Sequence, residues 1–232
     1  MSNAMRLLDA FCGAGGAAMG YHRAGFEVVG VDIAPQPHFP FEFHQGDALD
    51  FIREHGREFG VIHASPPCQV HSVLSHLARP SHKDYIPQTR KALRKSGKVY
   101  VIENVPGAPL IRPIMLCGTM FGLASPDGAQ LRRHRLFETN AGFVLTPPCA
   151  HNGRTIGIFG DKARDTGAEK RHYTQPKETR GGPPDDILFT LEDAQYAMGI
   201  DWMNFKELSQ AIPPAYTEWL GRRILEADRG PH

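Results

Sequence analysis

Three segments carry side chains that could do chemistry. In 64-ASPPCQVHS-72 a thiol, Cys68, follows two prolines at the end of the apolar run Val61 to Ala64. Proline fixes φ and restricts the residue before it, so Ser65-Pro66-Pro67 is a stiff, extended exit that presents Cys68 from a rigid backbone. Such a cysteine is either a small buried filler or, as a thiolate, a nucleophile. In 103-ENV-105 a carboxyl, Glu103, ends another apolar run. A buried glutamate is either a salt-bridge partner or an acid. In 131-LRRHRLF-137, Arg133 and Arg135 alternate along an expected strand, so both could face one pocket. Arg132 falls on the opposite face, with a structural or phosphate-directed role.

The segment 9-DAFCGAGGAAMG-20 offers binding rather than reaction. Gly13, Gly15 and Gly16 allow a tight turn and close backbone approach to a ligand at a helix N-terminus. The spacing is not GxGxxG, and no Gly-Lys-Ser/Thr follows, which excludes a P-loop. Asp32 lies seventeen residues after Gly15, near the ~20 expected of a ribose-binding carboxylate. Asp47, in 46-GDAL-49, could accept a hydrogen bond from an adenine amino group, cap a helix, or do both. A glycine turn with two carboxylates on successive strand ends suits an adenosine ligand without a pyrophosphate. S-adenosylmethionine fits that description. Cys149 and His151, in 147-PPCAH-151, could be half a metal site. Without a second pair nearby, no metal is expected.

These residues need a frame. Leu7 to Phe11, Glu27 to Ile33, Phe43 to Gly46, Val61 to Ala64 and Val99 to Ile102 are predicted strands. Gly16 to Ala24, Leu49 to Gly56 and Ile86 to Lys95 are the predicted intervening helices. This alternation predicts an α/β fold, a doubly wound and mostly parallel sheet with right-handed crossovers. Ligands of such sheets sit at the carboxyl ends of the strands, just where Cys68 lies. After Phe137 glycines and prolines punctuate the chain, with one short β run at Thr155 to Phe159. Residues 138–188 are therefore expected to be a small irregular or β-rich insertion, with 162–180 unordered without a partner. Residues 5–137 would form the main domain and 189–232 return to it. Periodicity resumes at Thr190 to Met198, and a last helix is expected from Pro214 to Ala227.

The 232 residues, 41% hydrophobic and 22% charged, suit one large globular domain with a small appendage. No run approaches the ~20 apolar residues that cross a bilayer, and no signal-peptide pattern opens the chain. Met1 to Ala4 look like the remnant of an expression tag. Four scattered cysteines without a CxxC pair argue for a reducing compartment. The net charge of +1 hides an asymmetry: Val73 to Lys98 holds seven basic residues against Asp84, and Gln130 to Arg180 holds ten against five acidic ones. These segments are either solvated faces or the part that meets a polyanion.

In this order, DAFCGAGG, PPCQ, ENV, LRRHRLF and 209-SQAIPP-214 resemble the DNA cytosine-5 methyltransferase family, of compact bacterial or phage type. The resemblance covers residues 6–137 and 189–226. It implies a Rossmann-like S-adenosylmethionine-dependent methyltransferase fold. It also implies methyl transfer to carbon 5 of cytosine in double-stranded DNA, with the target base flipped out. Cys68 would add to carbon 6, Glu103 would serve ring nitrogen 3, and Arg135, with Arg133 beside it, would hold the carbonyl oxygen. The donor would lie against Phe11, Gly13, Gly15, Gly16, Asp32, Ile33, Asp47, Ala48, Pro67, Gln210 and Ile212. Gln69 and Ser72 match the family's PCQ-x-x-S, and Ser72 would contact the target phosphate; Asn104 would hold the turn beside Glu103. Gln210 stands where the family has asparagine, Ser209 for its glycine, Ile212 for its valine, and Leu131 for a glutamine. Residues 138–188 correspond in position to the target-recognition region. They are short for it, which suggests a short site or relaxed specificity, with Arg154, Arg164, Arg171 and Arg180 as contact candidates. The setting implied is the cytoplasm of a bacterial or phage-infected cell, near the nucleoid, and a monomer. The rivals are a tRNA cytosine-5 methyltransferase of the same fold, an amino-group methyltransferase, and a catalytically silent DNA-binding subunit. An amino-group enzyme needs an aromatic residue where this chain has Cys68.

Overall fold

The structure is a computed structural model, and it describes residues 4–67, 84–142, 146, 148–158, 171–172 and 188–228. The first half alternates as expected. Strands β1 (Arg6–Ala10), β2 (Glu27–Asp32), β3 (Glu42–Gln45), β4 (Val61–Ala64) and β5 (Val99–Asn104) are interleaved with helices α1 (Gly16–Ala24), α2 (Ala48–His55) and α3 (Ile86–Ser96). The strands are parallel, in the order β3-β2-β1-β4-β5. Their central members read as unbroken apolar runs because helices cover both faces. Neighbouring residues divide between two cores. Leu7, Val28, Val61 and Val101 enter one, with Tyr21 and Phe137. Leu8, Val29, Ile62 and Ile102 enter the other, with Ile52 and Leu93.

Two antiparallel strands extend the sheet beyond β5. β8 (Arg135–Thr139) pairs with β5, and β6 (Ile114–Leu116) pairs with the far side of β8. β7 (Gln130–Leu131) instead pairs with β9 (Thr155–Ile156) in a separate two-stranded sheet. The expected single strand through Arg133 and Arg135 is therefore corrected. The chain leaves one sheet at Leu131 and joins another at Arg135, so Arg133 stands between strands.

The chain end closes the main layer. Helix α6 (Pro214–Asp228) packs on α1. A Cβ at Gly20 would lie 2.1 Å from the Pro214 carbonyl oxygen, so only glycine permits this approach. Thr217 Oγ1 donates to the Ala17 carbonyl at 2.8 Å in the same seam. A third core gathers Ala14, Leu131, Ile156, Ile158, Phe189 and Met198. Its helices are α4 (Leu191–Met198) and α5 (Phe205–Gln210). Capping boxes from Thr190 with Asp193, and from Asn204 with Glu207, start them. A short antiparallel pair, β10 (Arg171–His172) and β11 (Leu188–Phe189), precedes α4. Ile156 and Ile158 are 2% exposed, so the described start of the insertion is part of a core. Trp202 Nε1 ties this lobe to the main domain by donating to the Ala14 carbonyl at 2.9 Å.

Candidate active site

The sheet brings Glu103 and Arg135 together at one end. Glu103 is the penultimate residue of β5, and Arg135 opens the adjacent strand β8. Their ion pair closes at 2.9 Å, Nε to Oε1, with both side chains largely buried. Burial raises the Glu103 pKa; Arg135, then Arg133, then a hydrogen bond from Ser65 pull it down, but burial prevails. The carboxyl thus titrates above an ordinary glutamate, which suits a proton donor.

Asn104 links this pair to the segment that leads into Cys68. Its Nδ2 donates to the Pro66 carbonyl at 3.0 Å, and its Oδ1 accepts from the Val105 N–H at 3.0 Å. Ser65 N–H donates to the Ala10 carbonyl, continuing the β1 ladder past β4. The exit Ser65-Pro66-Pro67 is therefore held at both ends, with Pro66 buried and Pro67 exposed. Cys68, Gln69 and Ser72 lie outside the described residues. Of the described thiols, Cys12 is buried, and burial with the Asp9 and Asp32 charges pushes it far up, as a filler requires.

Arg133 takes a different part from Arg135. Its Nη1 donates to the Ile158 carbonyl at 2.5 Å and its Nη2 to the Ser209 carbonyl at 2.6 Å. Its own carbonyl accepts from Tyr216 Oη at 2.5 Å. It acts as a brace joining three segments, and its charge still reaches Glu103. Arg132 points elsewhere, donating to the Gly153 carbonyl at 2.9 Å, as a structural arginine would.

At the carboxyl ends of β1 to β3 lie the residues expected to bind a cofactor. Asp32 Oδ2 accepts from the Gly13 N–H and Oδ1 from the Ala34 N–H, both at 3.0 Å. The carboxylate shapes the glycine turn and retains lone pairs for a ligand hydroxyl. Phe11, at φ 59°, and Gly13, at φ 49°, both lie in the left-handed region where the chain turns off β1. Gly15 is left-handed too, and a Cβ there would meet Phe39 and Pro40 within 3 Å. Gly16 faces the Ile212 carbonyl oxygen, 2.5 Å from where its Cβ would be, so its glycine serves packing against that segment. Asp47 caps α2 through Oδ1, which accepts from Leu49 and Asp50 N–H and leaves Oδ2 to a ligand. Ala48 follows it, buried at the first position of α2. Ile33 is 69% exposed just past β2, a bare apolar surface beside two carboxylates. Gln210 ends α5, exposed, next to the carbonyl that Arg133 holds.

Three polar residues behind the site escaped notice in the sequence. His63 is fully buried in β4 and hydrogen-bonds Tyr21 Oη at 3.1 Å and Ser65 Oγ at 2.9 Å. Burial holds its pKa at about 3, so it is a neutral imidazole. One proton arrangement satisfies the chain: Tyr21 O–H to Nδ1, Nε2–H to Ser65 Oγ, and Ser65 O–H to Glu103. Asp9, fully buried in β1, is pushed well above the usual carboxylate range by burial and by the charges of Asp32 and Glu103. In the sequence His63 and Asp9 sit within apolar runs and read as strand, and Tyr21 reads as a residue of α1. Away from this site, Cys149 and His151 are not alone: Cys117 and His134 lie beside them, which revises the expectation that no second pair accompanies them.

No family model matches the chain, and no curated protein matches it by sequence. Solved structures do. A protein described as a DNA modification methyltransferase encoded within an Escherichia coli prophage superposes with a TM-score of 0.63, at 15% identity, over 97% of this chain and 100% of that one. The Dnmt2 methyltransferase of Schizosaccharomyces pombe superposes with a TM-score of 0.61, at 12% identity, over 97% of this chain and 99% of that one. The fold is that of these methyltransferases along nearly its whole length.

Proposed function

We propose that this chain is an enzyme that transfers the methyl group of S-adenosylmethionine to carbon 5 of cytosine in double-stranded DNA. The observation that carries this reading is the buried Glu103–Arg135 pair, joined through Asn104 to the loop that leads into Cys68. Two further findings support it: the carboxylates at successive strand ends, and the shared fold with the prophage and Dnmt2 methyltransferases.

Each residue then has a task. Carbon 5 of cytosine is a poor nucleophile. The Cys68 thiolate adds to carbon 6, and the electron density moves toward ring nitrogen 3 and carbon 5; once carbon 5 carries the methyl group, loss of its proton to water expels the thiolate and restores the ring. Glu103, whose pKa burial raises, donates to nitrogen 3 as charge builds there. Arg135 holds the carbonyl oxygen at the ring's other edge, in a site already dry enough to strengthen that bond. Arg133 is a positioning residue that fixes the start of β8. When bound, S-adenosylmethionine supplies an electrophilic methyl group. Asp32 would hold its ribose, Asp47 Oδ2 its adenine amino group, and Ile33 the adenine face, with Phe11, the Gly13–Gly16 turn, Pro67 and Ile212 around it. The target base must leave the stack, at a cost of a few kcal/mol that pocket and backbone contacts offset. Helix α3 follows the Cys68 segment in the chain, and its exposed Lys91, Arg94 and Lys95 offer positive charge to a polyanion.

The test uses labelled S-adenosylmethionine with duplex DNA and with tRNA, followed by mass spectrometry of the methylated nucleoside. 5-Methyldeoxycytidine from DNA is expected. Product from tRNA alone, or a methylated amino group, would replace this substrate with a rival. Duplex DNA carrying 5-fluorocytosine should trap a covalent adduct with the wild-type chain and none with Cys68→Ala. Normal turnover by Cys68→Ala would sink the covalent mechanism.

A further inference from the structure

Cys117 follows β6, His134 sits between Arg133 and Arg135, and Cys149 and His151 lie in the described start of the insertion. Their four ligand atoms all lie within 4.8 Å of one another. Cys117 Sγ is 3.4 Å from His151 Nε2, and Cys149 Sγ is 3.8 Å from His134 Nε2. The two imidazole rings meet edge to face, with centroids 5.0 Å apart. A tetrahedral zinc ion, with Zn–S of about 2.3 Å and Zn–N of about 2.0–2.1 Å, spaces its ligand atoms roughly 3.3–3.8 Å apart. The cluster is close to that spacing.

Its chemistry is as selective as its geometry. Two thiolates and two neutral imidazoles favour zinc in a tetrahedral S2N2 set over harder cations. Two thiolates balance the dication, which suits Cys117 at 0% exposure, where an uncompensated charge would be costly. Thr119 Oγ1 donates to Cys117 Sγ at 3.3 Å, an outer partner that orients the sulfur. Four protein ligands fill the tetrahedron and leave no open position, the mark of a structural rather than a catalytic site.

We propose that Cys117, His134, Cys149 and His151 bind one structural zinc ion. It ties the base of the insertion and the start of β8 to the end of β6. Cys117 and His151 are 34 residues apart in sequence, so the ion closes a long loop and adds to the pairing of β7 with β9. His134 is flanked by Arg133 and Arg135, so the same ion would steady the backbone that presents both arginines.

The test is metal content, which does not depend on methyl transfer. The full chain, purified under reducing conditions from zinc-supplemented cells and desalted, is expected to carry one zinc per chain by elemental mass spectrometry. Replacement by Co2+ should give the visible bands of tetrahedral cobalt and a thiolate charge-transfer band. Cys149→Ser and His151→Ala should each lose the bound zinc, whereas Cys68→Ala should keep it. A reduced wild-type chain that holds no zinc and stays colourless with Co2+ overturns the proposal, whatever the variants do. So does full zinc content in Cys149→Ser, or a Cys117–Cys149 disulfide in the protein as isolated.

Discussion

The glycine-turn end and the arginine end of this sheet are built differently. At the first, Gly13, Asp32 and Asp47 stand just past or at the ends of β1, β2 and β3, and most partners are near: Asp32 takes the N–H of Ala34 two residues on and that of Gly13, 19 away, and Asp47 that of Leu49. At the second, Arg133 reaches Ile158 and Ser209, 25 and 76 residues away, and is reached by Tyr216 from 83. The difference separates tolerance from fragility. A local turn reforms from its own sequence, whereas the arginine end holds only while distant segments stay docked.

The sharpest break in that contrast is Glu103→Ala. It should lower kcat by about 10²–10⁴ while leaving S-adenosylmethionine affinity unchanged, because the acid serves the base and the turn serves the donor. Single-turnover rates and calorimetric titration with the donor check the two halves. Glu103→Gln keeps a neutral donor and should lose less, with a flatter alkaline limb in its pH–rate profile. In the wild type, titration of Glu103 from its raised pKa should make the rate fall as pH rises.

Next is the seam between the two halves. Glu138, 2% exposed on β8, accepts from Arg90 Nε at 2.8 Å and Nη2 at 2.7 Å, and from the Ile111 N–H at 2.8 Å. Burial alone would raise its pKa, but these donors outweigh it and hold it below the ordinary value. Arg90→Ala strands that carboxylate and should cost about 3–5 kcal/mol in denaturant melts. A depressed acid contributes stability above its unfolded pKa of about 4.3, lost as pH falls through the folded value. The gap between wild type and variant should therefore close on acidification below about pH 4.3.

Smaller still is Gly20→Ala in the α1–α6 seam, where overpacking should cost about 1–3 kcal/mol in thermal melts. Gly46→Ala, with nothing near its Cβ position and no left-handed φ, should stay within about 0.5 kcal/mol of wild type. The smallest effect sharpens the local side. Asp47→Asn keeps an oxygen for the cap and should leave stability within about 0.5 kcal/mol, while weakening donor binding. If stability falls and donor affinity does not, Asp47 is a cap alone.

Much of the fold was legible because its signals are short-range. The apolar runs of β1, β2, β4 and β5 and the glycines after α1 and α3 mark element ends to within a residue or two. Glu103, Asp32 and Asp47 were legible as polar groups stationed where strands end, and Arg135 as one of two arginines along a strand. The role of Arg133 was not, since nothing in LRRHRLF tells that the chain changes sheets between Leu131 and Arg135. Nor was the relay Tyr21–His63–Ser65, because a buried histidine inside an apolar run looks like any strand residue.

The sequence by itself determined the alternation of strands and helices from β1 to β5, the glycine turn, and that Glu103, Asp32 and Asp47 stand where strands end. Periodicity and backbone freedom are properties of neighbouring residues. Only the tertiary structure decided that Glu103 faces Arg135, that Arg133 binds the Ile158 and Ser209 carbonyls, and that Cys117 and His134 meet Cys149 and His151. Those pairings depend on where segments far apart in the chain dock, and docking is set by the shape of whole buried surfaces rather than by any local run of residues.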